Sequence, residues 1–399
     1  MLNGLAVPNP PYGGGASDAF VTCLNQFGQF AQNDLSFSVL LGGDDIDVGR
    51  GIAVDANRRV HLTGFTRSQQ LPTLTVVGST YRATGAPFGQ DAFVARLVSS
   101  FVPPFVTLDR FVFLGGSGAE EGRAIAVPRA DNPAQQLDVC WVTGVTESFD
   151  FSSRLPVGTP GSDFLLSGTR DAFVTGIDWG APSNITFLYA SFLGGDAEDE
   201  GNGIFVRSAL FGSTTVVVTG ATTSPHLPQE INSALGGGDG FAYALQRSVS
   251  PPVFTELWSR FLGGTGFDEA TSVWGFVAPG SGLNVFVAGS TQSANFSPLI
   301  GSGFGSALHG PSDAFLMRLN INGGVVLDNQ VPPQPLSVLI GGDGDDAATG
   351  VVVDTDYGDA YVVGRTGSIN FPTVGGSFGM NYGGATDGFV TLVRLTTTQ

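Results

Sequence analysis

The chain has 399 residues, with 59 glycines, 23 prolines and 42% hydrophobic residues, which is enough apolar material for a folded core. Its formal net charge is −18, and all 17 basic residues are arginine. An acidic chain argues against nucleic acid and anionic membranes as partners. No apolar run reaches the roughly 18 residues that a membrane span needs.

Four strand types are predicted to recur in a fixed order, and we name them inner, second, third and outer. The first set has an inner strand at 51–55, a second strand at 60–66, a third strand at 91–97 and an outer strand at 110–114. Each run is rich in β-branched and aromatic residues, and Gly- and Pro-rich stretches separate the runs, which is typical of short strands joined by turns. Later second strands begin at Val139, Val216, Val285 and Ala360, and later third strands at Asp171, Asp239, Asp313 and Asp387.

A Gly-Gly pair followed by an acidic turn marks each repeat. The pairs begin at positions 42, 115, 194, 263 and 341, so the period is 69 to 79 residues. Four strands per period without helical periodicity predict an all-β fold, a β-propeller of four-stranded blades. We expect one domain over 1–399, with repeats at roughly 1–43 (partial), 44–116, 117–195, 196–264, 265–342 and 343–399 (partial).

The aromatic residue that follows each third-strand acid is predicted to fill the layers between blades. These residues are Phe93, Phe173, Phe241, Phe315 and Phe389.

The termini supply one strand too many for five blades. A third strand at 18–24 and an outer strand at 35–41 precede the first full set, and the last set ends at a third strand over 387–395. The prediction is a five-bladed ring in which the N-terminal outer strand completes the C-terminal blade, with one surplus third strand, either 18–24 or 387–395. Six blades with one incomplete, or a surplus strand that pairs with a neighbouring molecule, are the alternatives.

Several motifs recur in order, including Leu41-Gly42-Gly43, Ile52-Ala53-Val54-Asp55, Leu71-Pro72-Thr73 and Asp91-Ala92-Phe93-Val94. Together they resemble the bacterial SBBP β-propeller repeat, over almost the whole chain. The resemblance implies an exported bacterial propeller, extracellular or at the cell surface. The family is named for seven blades, which this chain does not supply. It has no established catalytic residues, so none are transferred.

An acid stands four residues after the second glycine of each pair. These recurring turn acids are Asp47, Glu120, Asp199, Asp268 and Asp346. Oxygen ligands on Gly-rich turns suit Ca²⁺, the one cofactor considered. The best calcium candidates are the two loops that carry Asp196, Glu198 and Asp199, and Asp343, Asp345 and Asp346. Alternatively, each acid accepts hydrogen bonds from backbone N–H groups in the turn between blades.

Catalysis has little support in the sequence, so the chain is predicted not to be an enzyme. The histidines His61, His226 and His309 occupy unrelated repeat positions, and no nucleophile elbow, metal triad or phosphate loop is present. A hydrolase or lyase with carboxylates at the channel mouth is the enzymatic alternative.

We therefore expect a structural or interaction module, including a self-assembling homo-oligomer or filament. The alternative is an adhesin that binds protein or glycan through the variable loops 65–90, 145–170, 221–238, 290–312 and 365–386. No signal peptide is visible at Met1. Cys23 and Cys140 lack metal spacing, and a disulfide between them is one option.

Overall fold

The computed structural model describes residues 14–24, 35–69, 80–81, 89–99, 106–130, 138–151, 166–180, 185–208, 213–248, 253–278, 282–296, 307–326, 337–354, 359–373 and 383–394. These residues form 23 β-strands, which confirms the all-β class. Among them, no helix is long and apolar enough to cross a membrane. The chain divides into two compact units, residues 1–166 with 173–192, and residues 167–172 with 193–399.

The first unit begins with a two-stranded antiparallel sheet of β1 (Ala19–Leu24) and β2 (Leu35–Leu41). The first full sheet contains, in hydrogen-bonding order, β3 (Asp47–Val54), β4 (Arg59–Thr66), β6 (Asp91–Ser99) and β7 (Val106–Leu114). The next contains β8 (Glu120–Ala126), β10 (Val139–Thr146), β11 (Asp171–Asp178) and β12 (Thr186–Leu193). Two short strands, β5 (Thr80–Tyr81) and β9 (Arg129–Ala130), lie outside this pattern.

The second unit contains two more sheets with the same strand order. They are β13 (Asp199–Ser208), β14 (Thr214–Thr222), β15 (Asp239–Arg247) and β16 (Phe254–Leu262), then β17 (Asp268–Ala278), β18 (Gly282–Thr291), β19 (Asp313–Asn320) and β20 (Ser337–Ile340). The last sheet has three strands, β21 (Asp346–Val353), β22 (Ala360–Thr366) and β23 (Asp387–Val393).

Four blade-like antiparallel sheets therefore follow the predicted order of inner, second, third and outer strand. The first sheet has only a third and an outer strand, and the last has no outer strand among the described residues. The predicted repeat architecture is confirmed at this level. The number of blades and the closure of a ring stay predictions.

The core of each unit lies between its stacked sheets. In the first unit Phe173 of β11 packs with Ala92 and Val94 of β6. In the second unit Phe389 of β23 packs with Phe286 and Ala288 of β18. The five predicted inter-sheet phenylalanines are all buried, which confirms their predicted role. Burial of a side chain of this size contributes about 1.5–3 kcal/mol each.

Candidate functional site

The recurring turn acids lie where one sheet passes into the next. The backbone N–H of Asp268 donates to the carbonyl of Gly238, at 3.0 Å, and that of Asp346 donates to Ser312, at 2.9 Å. Asp47, Glu120 and Asp199 make the same bond in their repeats. In each case the acceptor directly precedes a third-strand Asp. The fold thus sets a turn acid beside a third-strand acid five times.

The carboxylate of each turn acid accepts hydrogen bonds inside its own turn. Asp268 Oδ2 accepts from the backbone N–H of Gly264 at 2.8 Å and from the hydroxyl of Ser293 at 2.7 Å. Asp346 repeats the arrangement with Gly342 at 2.8 Å and Ser368 at 2.6 Å. These hydrogen bonds correspond to the structural role that is the alternative to calcium binding.

One serine in each turn also binds the turn acid, and this role was not predicted from the sequence. The five residues are Ser68, Ser148, Ser224, Ser293 and Ser368. Each donates to the turn acid and also accepts a backbone N–H, as Ser148 accepts from Gly118 at 2.6 Å. Its own N–H donates to a threonine two residues earlier, as in Ser148 to Thr146 at 3.0 Å. The sequence does contain a pattern that marks these serines, because Thr-x-Ser occurs at the end of each strand of the second type.

Burial strengthens the coupling between the paired acids. A Cβ at Gly263 would collide with Asp239 Oδ1 and lie 2.7 Å from Asp268 Oδ2, so only glycine fits between the two carboxylates. Burial raises the pKa of Asp239 to about 6, and the nearby charge of Asp268 adds to the rise. Burial likewise raises the pKa of Glu120 to about 7, against the hydrogen bonds from Ser148 and Gly116. These carboxylates therefore titrate well above their ordinary range.

The first calcium candidate loop separates its three acids. Asp196 and Glu198 are exposed, whereas Asp199 is buried and accepts from Gly195 and Ser224. Glu198 accepts a hydrogen bond from Thr169 at 2.8 Å.

The second candidate loop has the same division. Asp343 and Asp345 are exposed, whereas Asp346 is buried. Within the described ranges no group of three or more His, Cys, Asp or Glu side chains is arranged to hold a metal ion. Calcium binding stays one of the two alternatives that the sequence leaves open for these acids.

A buried charged cluster in the first unit also escaped sequence prediction. The ring of His61 is buried, and its Nε2 lies 3.3 Å from Asp55 Oδ2. Arg59 donates to Asp55 at 2.6 Å, and the guanidinium of Arg96 lies 5.1 Å from the Trp179 ring centroid. Arg59 and Arg96 both bind Asp138, at 2.8 Å. Since the cluster pairs its carboxylates with arginines, it links the strands that carry these residues.

The environment of this cluster moves two pKa values. Burial lowers the pKa of His61, and the positive charges of Arg96 and Arg59 add to this, against the opposing effect of Asp55. Burial alone would raise the pKa of Asp55, but hydrogen bonds from His61 and Arg59 outweigh it and hold that pKa well below its usual range. Only one part of the cluster was detectable from the sequence, since Arg59 and His61 are two apart on β4 and so share a face.

The last sheet leaves one apolar face uncovered. We call it the C-terminal face, and it consists of Val352, Tyr361, Val363, Val390 and Leu392. Val390 is 73% exposed, whereas Ala242, at the equivalent position of β15, is fully buried. Tyr361 is exposed, whereas its equivalents Val217 and Phe286 are buried. The same strand types bury both faces in the inner sheets.

The first sheet leaves its opposite face uncovered. We call it the N-terminal face, and it consists of Phe20 and Leu24 on β1. Phe20 is 69% exposed, whereas Phe93 at the equivalent position of β6 is 1% exposed. Third-strand phenylalanines such as Phe173 pack against the preceding sheet, and among the described residues no sheet precedes β1.

The variable loops lie largely outside the described residues, apart from 221–238, which is described in full. Cys23 and Cys140 are free thiols and form no disulfide in the structure. A comparison of the sequence with models of known protein families found no match, and a comparison with curated protein sequences found none. The resemblance to SBBP repeats therefore rests on the sequence motifs alone.

Proposed function

We propose that the chain is a non-enzymatic, exported bacterial structural module of the β-propeller type that assembles with further copies of itself. The observation that carries the proposal is the pair of uncovered apolar faces on the first and last sheets. Exposed apolar patches bordered by polar surface mark interaction sites in soluble proteins.

The two faces are complementary in kind. Inside each unit a sheet covers the following face of one neighbour and the preceding face of the other, as in the contacts of β6 with β11 and of β18 with β23. The N-terminal face is the side of a sheet that, in the full sheets, packs against the preceding sheet in the chain. The C-terminal face is the side that packs against the following sheet. A head-to-tail contact between copies would repeat a packing that the chain already uses. Contacts of this heterologous kind generate rings or open filaments.

The blade count belongs to the same proposal. Four complete sheets, together with one sheet built from terminal strands, give five blades. If the two-stranded first sheet counts as a separate blade, the total is six with one incomplete.

Sedimentation velocity over a wide range of protein concentration tests the proposal. We expect concentration-dependent growth of the wild-type protein, and at least about tenfold weaker association for Val363→Asp on the C-terminal face, a change of about 1.4 kcal/mol. Ile231→Asp is the matched control, since Ile231 is also an exposed apolar residue but lies outside both faces. A strictly monomeric wild type, or equal effects of the two substitutions, would contradict self-assembly.

A second candidate function is protein or glycan binding through the loops. The supporting observation is Phe149, an aromatic side chain that is 71% exposed at the start of the loop 145–170. A glycan array probed with the wild type and with Phe149→Ala tests this candidate. We expect a bound glycan class that the substitution removes, and an array blank for both proteins would count against it.

A further inference from the structure

A cleft of about 480 Å³ opens between β1 and β3 in the first unit. Residues 17–22, residues 47–52 and Leu62 line it. Phe20 and Ile52 are exposed on its walls, and Leu62 is buried at its floor. The cleft is therefore accessible and largely apolar.

The cleft lies at an edge of β1 that has no partner strand among the described residues. In the full sheets every third strand pairs on both edges, as β6 does with β4 and β7 and β19 does with β18 and β20. Within the described part of the chain, β1 pairs only with β2, which contributes no residue to the cleft. In the full sheets the neighbour of a third strand on this edge is a strand of the second type. By analogy, a strand of the second type belongs beside β1.

Two equivalent glycines have different neighbours on the side of the preceding sheet. Gly49 on β3 and Gly122 on β8 each stand two residues after a turn acid. At Gly122 a Cβ would collide with Thr63, which lies on the second strand of the preceding sheet. At Gly49 the nearest atoms to such a Cβ are Ala19 Cβ at 3.5 Å and Leu62 Cδ2 at 3.8 Å. These are ordinary van der Waals distances, and neither atom belongs to a second strand of the preceding sheet.

We infer that this cleft binds β22, with β21, of a second copy of the chain. The inference rests on the proposed self-assembly and names its structural element, an exchange of strands in which β23 and its Val390 leave the contact. β21 and β22 are an inner and a second strand, and β1 and β2 are a third and an outer strand. Together they make one complete four-stranded sheet in the order that all full sheets share.

The exchange requires β1 to take the place of β23 beside β22. β23 is the least buried of the full-length third strands, because nothing covers its following face and no outer strand pairs with it among the described residues. β1 brings an outer strand with it. The exposed Tyr361 and Val363 of β22 would then lie against Ile52 in the cleft, which buries apolar surface that both copies now expose.

The register of the exchange follows from the repeat. Asp18 and Asp387 are equivalent, so Cys23 takes the position of Leu392, which pairs with Tyr361. Residues directly opposite in antiparallel strands have Cα atoms about 4.5–5.5 Å apart, which lies within the range of disulfides. Cys23 is partly exposed. Cys140 is fully buried, and burial raises the pKa of its thiol, so it is unreactive.

The test is oxidation of Tyr361→Cys under conditions where the chains associate. We expect disulfide-linked dimers and larger species, with mass spectrometry identifying a link between positions 23 and 361 of different copies. Val363→Cys is the matched control, since its partner would be the residue at position 21, a valine, and it should form no link to Cys23. Adding Cys23→Ser to Tyr361→Cys should remove the linkage.

A second variant tests the cleft itself. Gly49→Leu adds a side chain at a position where a Cβ meets only ordinary van der Waals contacts, and in the Tyr361→Cys background it should abolish the cross-link while circular dichroism still shows the folded chain. Association without a 23–361 link would overturn strand exchange and leave the proposed assembly intact. A 23–361 link within single chains would overturn the assignment to a second copy. If the chains never associate, both the exchange and the proposed function fail.

Discussion

At each junction a serine hydroxyl lies between a buried carboxylate and a backbone N–H. Ser148→Ala would leave the carboxylate of Glu120 and the N–H of Gly118 each short of one partner. Loss of such a partner costs about 1–3 kcal/mol. We expect chemical denaturation to show a loss of that size for Ser148→Ala. Ser117→Ala, an exposed serine in the same turn, is the control and should be close to neutral.

Glu120 makes stability depend on pH. Its folded-state pKa, about 7, lies above its ordinary value of 4.5, so the folded chain holds a proton that the unfolded chain releases. The stability that this proton provides is complete below about pH 4.5 and disappears as pH rises through about 7. Glu120→Gln keeps the side-chain shape and cannot ionise. Relative to wild type, we expect the variant to gain on the order of 2 kcal/mol between about pH 5 and pH 8.

The comparison between variant and wild type isolates Glu120 from other titrating groups. His61 acts with the opposite sign, because burial lowers its pKa and stability therefore falls as pH drops below about 6.5. This contribution is common to both proteins and cancels in the difference. Denaturant titrations at a series of pH values provide the measurement, and parallel curves for the two proteins would contradict the assignment.

At the scale of a strand, one repeat position has opposite roles in β1 and β6. Phe93 is buried between sheets, so Phe93→Ser should destabilise the fold by about 3–5 kcal/mol. Phe20 is exposed, so Phe20→Ser should leave the unfolding midpoint nearly unchanged and weaken association. Thermal unfolding and sedimentation of the two variants together test this, and equal destabilisation would show that the N-terminal face is covered.

The acidic turns allow a direct test of calcium. Asp199 and Asp346 already accept backbone and serine hydrogen bonds, and their neighbouring acids are exposed. We expect millimolar CaCl₂ to raise the melting temperature no more than NaCl of matched ionic strength. A larger rise that a chelator reverses, and that Asp343→Asn with Asp345→Asn removes, would instead establish the calcium site.

The order of strand types was predictable because each strand is a short apolar run with its own punctuation. The Gly-Gly pair marks the end of an outer strand, and Thr-Gly marks a second strand. The predicted closure of the N-terminal outer strand on the C-terminal blade stays a prediction, and the structure shows that β2 pairs with β1. This pairing joins neighbours in sequence, as for β6 and β7, and closing a short connection has a lower entropic cost than joining the chain ends.

The charged cluster around His61 was harder to predict because its members come from distant parts of the chain. Asp55, Arg96, Asp138 and Trp179 approach one another only after two sheets stack. The serines of the turns were hidden for a different reason, because Thr-x-Ser is also an ordinary loop sequence. Their role becomes clear only when the hydrogen bonds to the buried acids are known.

At the scale of the whole molecule, the net charge of −18 opposes contact between copies. The proposed contact is apolar, so added salt should strengthen it by screening the repulsion. We expect association to tighten by about tenfold between low-salt and high-salt buffers, each tenfold being about 1.4 kcal/mol. Sedimentation at several NaCl concentrations measures this. Weakening with salt would mean that ion pairs hold the copies together and would contradict an apolar contact.

The two uncovered faces belong to the first and last sheets alone. They therefore do not depend on the number of repeats between those sheets. Duplication or deletion of one whole repeat, such as 196–264, would lengthen or shorten a subunit and leave both ends unaltered. Gene products with different repeat numbers could then co-polymerise. The spacing along such a polymer would then follow the number of repeats that each gene encodes.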